Sequence, residues 1–125
     1  MEGRVLLIED NDDTRMILRE RFESHGIQVD EAETGEAGVK FAARYLPQAI
    51  VVSTSLPDMR GVEVARQLRE RTRTHHIFLL LLADDDAHQQ RLSSLELGVD
   101  DFVASPFDPD ELMLRRWSIP GPLRA

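Results

Sequence analysis

Short runs that are apolar at every position alternate along this chain with longer stretches whose apolar residues recur at helical spacing. Val5-Leu6-Leu7-Ile8, Ala49-Ile50-Val51-Val52 and Ile77-Phe78-Leu79-Leu80-Leu81-Leu82 are of the first kind. A strand that is apolar on both faces is covered by helices on both sides, so these three read as strands one, three and four of a parallel sheet. Residues 27–32 carry Ile27 and Val29 among polar neighbours, which suits a more exposed second strand near one edge, and residues 101–104 supply a fifth.

Five helical stretches lie between and after these runs. The first is capped by Asn11 or Asp12, shares Leu18 and Phe22 on one face and stops at Gly26. The second covers residues 35–45 and ends before Pro47. In the third, Gly61, Val64, Ala65 and Leu68 fall at i, i+3, i+4 and i+7, one stripe that packs on a sheet. The fourth covers residues 86–97, with Asp86 as cap, Leu92 and Leu95 inward and Gly98 as its stop. The fifth opens with Asp108-Pro109-Asp110-Glu111, a cap, a proline at the first helical position and an acid in capping-box position. Ser118-Ile119-Pro120-Gly121-Pro122 cannot continue that helix and reads as a tail or the start of a linker over 118–125. Repeated βα units with short right-handed crossovers predict an α/β fold, a doubly wound five-stranded parallel sheet in the order 2-1-3-4-5, over residues 1–117.

Composition narrows the class. A chain of 125 residues suits one domain with its own core, and the absence of cysteine removes thiolate and zinc-thiolate chemistry. No run reaches the roughly 18 apolar residues of a membrane span, and the N-terminus enters a strand-like segment without an apolar signal core, so a cytoplasmic protein is expected. The net charge of −8 disfavours nucleic acid as a partner of this chain. Arg66, Arg69, Arg71 and Arg73 cluster, but Glu63 and Glu70 sit among them, so they read as a solvated helix face. His75 and His76 fall in the loop before the fourth strand and read as surface histidines.

In such a sheet ligands bind beyond the carboxyl ends of the strands. Those ends carry Glu9 and Asp10 after strand one, Ser53 after strand three, Ala83 after strand four and Ser105 after strand five. The run Glu9-Asp10-Asn11-Asp12, the segment from Pro47 through Ser53 and Pro57 to Gly61, the stretch Gly98-Val99-Asp100-Asp101-Phe102 and Ser105-Pro106-Phe107 together resemble the receiver domain of bacterial response regulators, a flavodoxin-like fold. The resemblance extends from Arg4 to Trp117. It implies that Ser53 stands where the family has its phosphoacceptor aspartate. Ser105 follows Ser53 by 52 residues, the family's spacing to a lysine, and Ala83 precedes Ser105 by 22, the place of the switch threonine or serine. Phe102 holds the place of the family's mobile aromatic. Of five site positions, only Glu9 and Asp10 are kept.

These exchanges have chemical consequences. Phosphoryl transfer to a receiver requires a carboxylate nucleophile, a divalent cation and a side-chain cation that neutralise the developing charge. A serine hydroxyl without an adjacent base is a poor nucleophile. Magnesium takes oxygen ligands in octahedral geometry, and Ser53 removes one carboxylate from the set. Asp84, beside the switch position, would repel a phosphoryl group. The expectation is therefore an atypical receiver, not an enzyme, that acts without phosphorylation by binding a signalling protein or a second copy of itself. The resemblance places that contact on the face built from the fourth helix, fifth strand and fifth helix, which Leu92, Leu95, Phe102, Phe107 and Leu112 shape or support. No cofactor is expected, and Mg2+ only insofar as Glu9 and Asp10 still bind it. Two alternatives stay open: a phosphoacceptor and metal site relocated to Asp10 or Asp84, and the regulatory domain of a longer DNA-binding transcription factor. The bland reading of Glu9 and Asp10 is an acid pair at a helix entry, favoured by the helix dipole. By resemblance, the Ser105-Pro106 peptide is cis.

Overall fold

The computed structural model describes residues 3–83, 98–104 and 108–113. In chain order these form β1 (Arg4–Ile8), α1 (Asp12–Ser24), β2 (Gln28–Ala32), α2 (Gly35–Tyr45), β3 (Ala49–Ser53), α3 (Gly61–Glu70), β4 (Phe78–Ala83), β5 (Asp101–Ala104) and a helix at Pro109–Met113. All strand pairs are parallel and the order is β2-β1-β3-β4-β5, as predicted. Asp84, Leu92, Leu95, Ser105, Phe107, the fourth predicted helix, the Ser105-Pro106 peptide and the tail from residue 114 lie outside the described residues.

The inner strands are apolar throughout because successive side chains serve two different cores. Val5, Leu7, Val51, Leu80 and Leu82 pack with Leu18 and Phe22 of α1 and with Leu112 and Met113. Leu6, Ile8, Ile50, Val52, Leu79 and Leu81 face the other way, onto Val39 and Ala42 of α2 and Val64, Ala65 and Leu68 of α3. The stripe predicted for α3 is thus the buried one, and so is the Leu18–Phe22 pair of α1.

Local signals set the helix ends. The Asn11 side chain accepts from the Thr14 amide at 2.9 Å, and Gly26 leaves α1 with φ 77°. Thr34 caps α2 by accepting from the Ala37 amide at 3.1 Å. Asp108 accepts from the Asp110 amide at 2.9 Å as its helix begins. The second strand opens at Gln28, with Ile27 already buried before it. Its outer edge is guarded by arginines of α1: Arg19 donates to the Val29 carbonyl at 3.0 Å, and Arg15 and Arg19 both pair with Glu31. A charged, covered edge resists pairing with a foreign strand.

The arginine-rich face departs from expectation. Arg66 is a surface group paired with Glu63 and Glu70. Arg69, by contrast, is a structural clamp. Its guanidinium donates to the His75 and Ile77 carbonyls at 2.8 and 2.7 Å, to the Gly98 carbonyl at 3.1 and 3.0 Å, and to Asp100 at 2.9 Å. The Asp100 carboxylate also accepts from the Leu79 amide at 2.9 Å. One planar fork thereby ties the end of α3 to the starts of β4 and β5. Arg73 is also bonded, through Nε to the Ala43 carbonyl at 3.1 Å. His75 and His76 are exposed, as predicted.

Candidate functional site at the carboxyl edge of the sheet

Parallel register brings the sequence-predicted positions to one edge. Ile8 pairs with Val52, so Glu9 and Ser53 stand one step further on neighbouring strands, and Ser53 pairs in turn with Leu82, one step before Ala83. Ala83 pairs with Ala104, the residue before Ser105. Glu9, Ser53 and Ala83 are buried, while Asp10 is exposed.

The polar groups here are bonded into the chain itself. The Ser53 hydroxyl donates to the Ser55 carbonyl at 3.4 Å and accepts from the Ser55 amide at 3.3 Å, a local turn at the end of β3. Thr54 extends the pairing, its amide donating to the Leu82 carbonyl at 2.9 Å and its carbonyl accepting from the Gly61 amide at 3.0 Å. A Cβ on Gly61 would collide with the Ser53 carbonyl oxygen, so only glycine lets α3 start this close to β3. The Glu9 carboxylate accepts from the Asn11 amide at 3.1 Å, and Arg15 donates to the Glu9 carbonyl at 2.7 Å. Burial pushes the Glu9 carboxyl up to about 6; the Asn11 amide pulls it down, and Asp10 beside it adds to the rise.

Two residues of this edge carry roles that the linear pattern did not reveal. Asp58 reaches from the β3–α3 loop to the start of α2, accepting from the Gly35 and Glu36 amides at 2.8 and 2.9 Å. These amides, that of Glu36 first, hold its carboxyl below the usual carboxylate range. Its partners lie 23 and 22 residues away, so no local motif announces the bond. Thr54 buries a hydroxyl oxygen that has no hydrogen-bond partner among the described residues. A serine or threonine at the end of a buried strand is the only signal that could have pointed to it.

Of the contact face predicted by resemblance, two members are described. Phe102 is half-buried and packs against the α2–α3 side of the core. Leu112 is 1% exposed and sits in the core with Leu18 and Phe22, because the first turn of its helix lies over α1. It supports a face from within and offers a partner no surface.

A parallel five-stranded sheet in this order, with acids after the first strand and a loop anchored on the second helix, defines a flavodoxin-like α/β domain. The chain matches the response regulator receiver domain over residues 5–115 and belongs to that family. Among curated proteins it is 32% identical over 116 residues to the phosphate regulon transcriptional regulatory protein PhoB of Rhizobium meliloti (strain 1021), covering 92% of this chain and 51% of that protein. It is also 32% identical over 128 residues to the alkaline phosphatase synthesis transcriptional regulatory protein PhoP of Bacillus subtilis (strain 168), covering 98% and 52%. The chain thus spans about half the length of the curated relatives it matches. Among solved structures, the receiver domain of sensor histidine kinase PA1611 from Pseudomonas aeruginosa PAO1 superposes with TM-score 0.81 at 26% identity, covering 90% of this chain and 92% of that one. That structure has a magnesium ion coordinated in its active-site cleft. A sensor protein from Polaromonas sp. JS666 gives TM-score 0.82 at 27% identity, covering 90% of each chain.

The donors described here do not fit a magnesium site of that kind. Glu9 and Asp10 are only two carboxylates, and the Ser53 hydroxyl is turned into its own backbone. Among the described residues, no three His, Cys, Asp or Glu side chains are grouped so as to hold a metal ion. Nor is any described helix long and apolar enough to cross a membrane.

Proposed function

We propose that this chain is a receiver domain of two-component signalling that accepts no phosphate and acts by binding a partner protein in the cytoplasm. One observation carries the reading: the side chain at the end of β3 is a buried hydroxyl whose hydrogen bonds are made with Ser55. Acceptance of a phosphoryl group would require an oxygen nucleophile to attack phosphorus while the donor's P–N or P–O bond breaks. Among the described residues no side chain is bonded to the Ser53 hydroxyl to take its proton, and by resemblance the lysine and switch hydroxyl are replaced by Ser105 and Ala83. The reading assigns no enzymatic step to the described residues and calls for no cofactor. Acetyl phosphate with magnesium, followed by intact-mass measurement, is expected to leave the mass unchanged; stoichiometric labelling would overturn the reading.

Exposed Asp10, on the same edge, supports a second reading in which the acceptor has moved to Asp10 or Asp84. It requires metal, so a calorimetric titration that shows no heat of binding at millimolar magnesium ends it. The names of the relatives, both transcriptional regulatory proteins about twice as long, support a place for this domain as the regulatory part of a longer DNA-binding protein. The full open reading frame decides that point.

A further inference from the structure

Beyond the carboxyl end of β2, between the first turns of α1 and α2, opens a cleft of about 460 Å³. Ala32, Thr34, Ala37 and Phe41 form one part of its lining, and Arg15, Glu31 and Glu33 form the rest. Its volume falls within the range of small-molecule sites, roughly 300–1,000 Å³. It belongs to the edge strand of the sheet and stands apart from the line of Glu9, Ser53 and Ala83.

The donors around this cleft are already engaged. Arg15, whose side chain is 11% exposed, donates from Nε to Glu31 at 2.8 Å, from Nη1 to the Glu9 carbonyl at 2.7 Å and from Nη2 to Asp12. At the opening of α2 the Gly35 and Glu36 amides donate to Asp58, and the Ala37 amide donates to Thr34. The cation and the helix start that would attract an anion are therefore answered from within the chain. An acceptor is left over. The Glu33 side chain is 71% exposed and makes no hydrogen bond among the described residues; its ion pair there is with Arg15 at 3.9 Å. Glu31, by contrast, is held by both Arg15 and Arg19.

We propose that this cleft binds an ammonium group carried on a short apolar stem, the chemistry shared by a lysine side chain and a free diamine. The ammonium brings the donors that the cleft lacks and takes the Glu33 carboxylate. Its methylenes lie along Ala32, Ala37 and the half-buried Phe41 ring. Those walls offer nothing to a bare metal ion, and among the described residues no three acids are grouped to hold one. An anion would meet two carboxylates and nitrogens that are already bonded, against a net charge of −8 that favours a cation. The site stands however Ser53 is read.

The test follows amide shifts of the isotope-labelled chain with n-butylammonium chloride, against ammonium chloride, butanol and sodium butyrate at matched ionic strength. Butylammonium is expected to shift residues 31–34, 37 and 41 and to bind about tenfold more tightly than ammonium or butanol, because charge and stem are both used. Glu33→Gln is expected to weaken it about fivefold at unchanged melting temperature, since no described hydrogen bond is lost. Glu36→Gln, which alters an exposed acid outside the cleft lining, is expected to leave it unchanged. A lysine blocked at both backbone ends and putrescine then distinguish the source. Tighter binding of the blocked lysine assigns the cleft to a protein side chain and tighter binding of putrescine to a free polyamine; either upholds the site. Equal shifts with ammonium, butanol or butyrate, shifts mapping elsewhere, no more weakening by Glu33→Gln than by Glu36→Gln, or no shift at tens of millimolar overturns the proposal.

Discussion

The two ends of the sheet treat their polar groups in opposite ways. At the carboxyl end, Ser53 is bonded to Ser55, Glu9 to the Asn11 amide and Asp58 to the first amides of α2. At the amino end, Arg44 and Arg71 are exposed without a described partner, next to an exposed tyrosine and leucine. A group already bonded within the chain is no longer available to a ligand, whereas one held in solvent costs little to engage. The contrast therefore separates Ser53, Glu9 and Asp58, bonded within the chain, from two arginine side chains left in solvent, while Asp10 and Arg60 at the carboxyl end are exposed as well. Arg69 refines it, because that cation belongs to the amino end yet has filled every donor internally.

Breaking the internally bonded groups gives the largest effects. Arg69→Ala leaves three carbonyls and the Asp100 carboxylate without their donor, and is expected to lower unfolding free energy by about 3 kcal/mol in urea denaturation. Arg44→Ala, at the same end, is expected to change it by less than about 0.5 kcal/mol. Equal losses in the two would dissolve the distinction between clamp and solvent-exposed cation. Next comes Ser53→Asp, which places a carboxylate in a buried position beside Glu9. Without metal it is expected to destabilise by about 2 kcal/mol, and millimolar magnesium is expected to recover part of that loss, read as a rise in melting temperature. Phosphate labelling is expected to stay slow, because Ser105 and Ala83 are unchanged. A variant as stable as the parent in chelator would show that the edge is less closed than its bonds indicate.

Glu9 sharpens the comparison through pH. Its folded carboxyl is raised from 4.5 to about 6, so the fold prefers the protonated form. The associated stability is complete below pH 4.5 and is lost as pH rises through about 6. Glu9→Gln, which keeps an acceptor for the Asn11 amide and carries no charge, is expected to be about 1–2 kcal/mol more stable than the parent at pH 8 and equal to it near pH 4. A difference independent of pH would assign the effect to packing. The smallest effect is that of Thr54→Val, which removes a buried hydroxyl oxygen lacking a partner and is expected to raise stability by about 1 kcal/mol in thermal melts.

Much of this architecture was legible before any coordinates. Apolar runs such as Leu79 to Leu82 and the stripe Gly61, Val64, Ala65 and Leu68 carry the fold, because burial on both faces of a strand and on one face of a helix leaves a periodic trace. The caps at Asn11 and Thr34 are equally local, made with amides three residues ahead. Leu112 shows what the pattern left open. An apolar residue on an amphipathic helix faces either a core or a partner, and sequence period does not distinguish the two; its 1% exposure assigns it to the core.

The sequence by itself determined the α/β class, the strand order, the edge on which Glu9, Asp10, Ser53 and Ala83 meet, and the hydroxyl that stands at the end of β3. Only tertiary structure decided that Arg69 is a clamp while the Arg71 side chain has no bond among the described residues, that Asp58 caps a helix 22 residues before it, and that Leu46 is strained and exposed. The reason is range. Hydrophobic period and capping act between residues a few positions apart, whereas the partner of a charge is chosen by the folded chain from any distance along it.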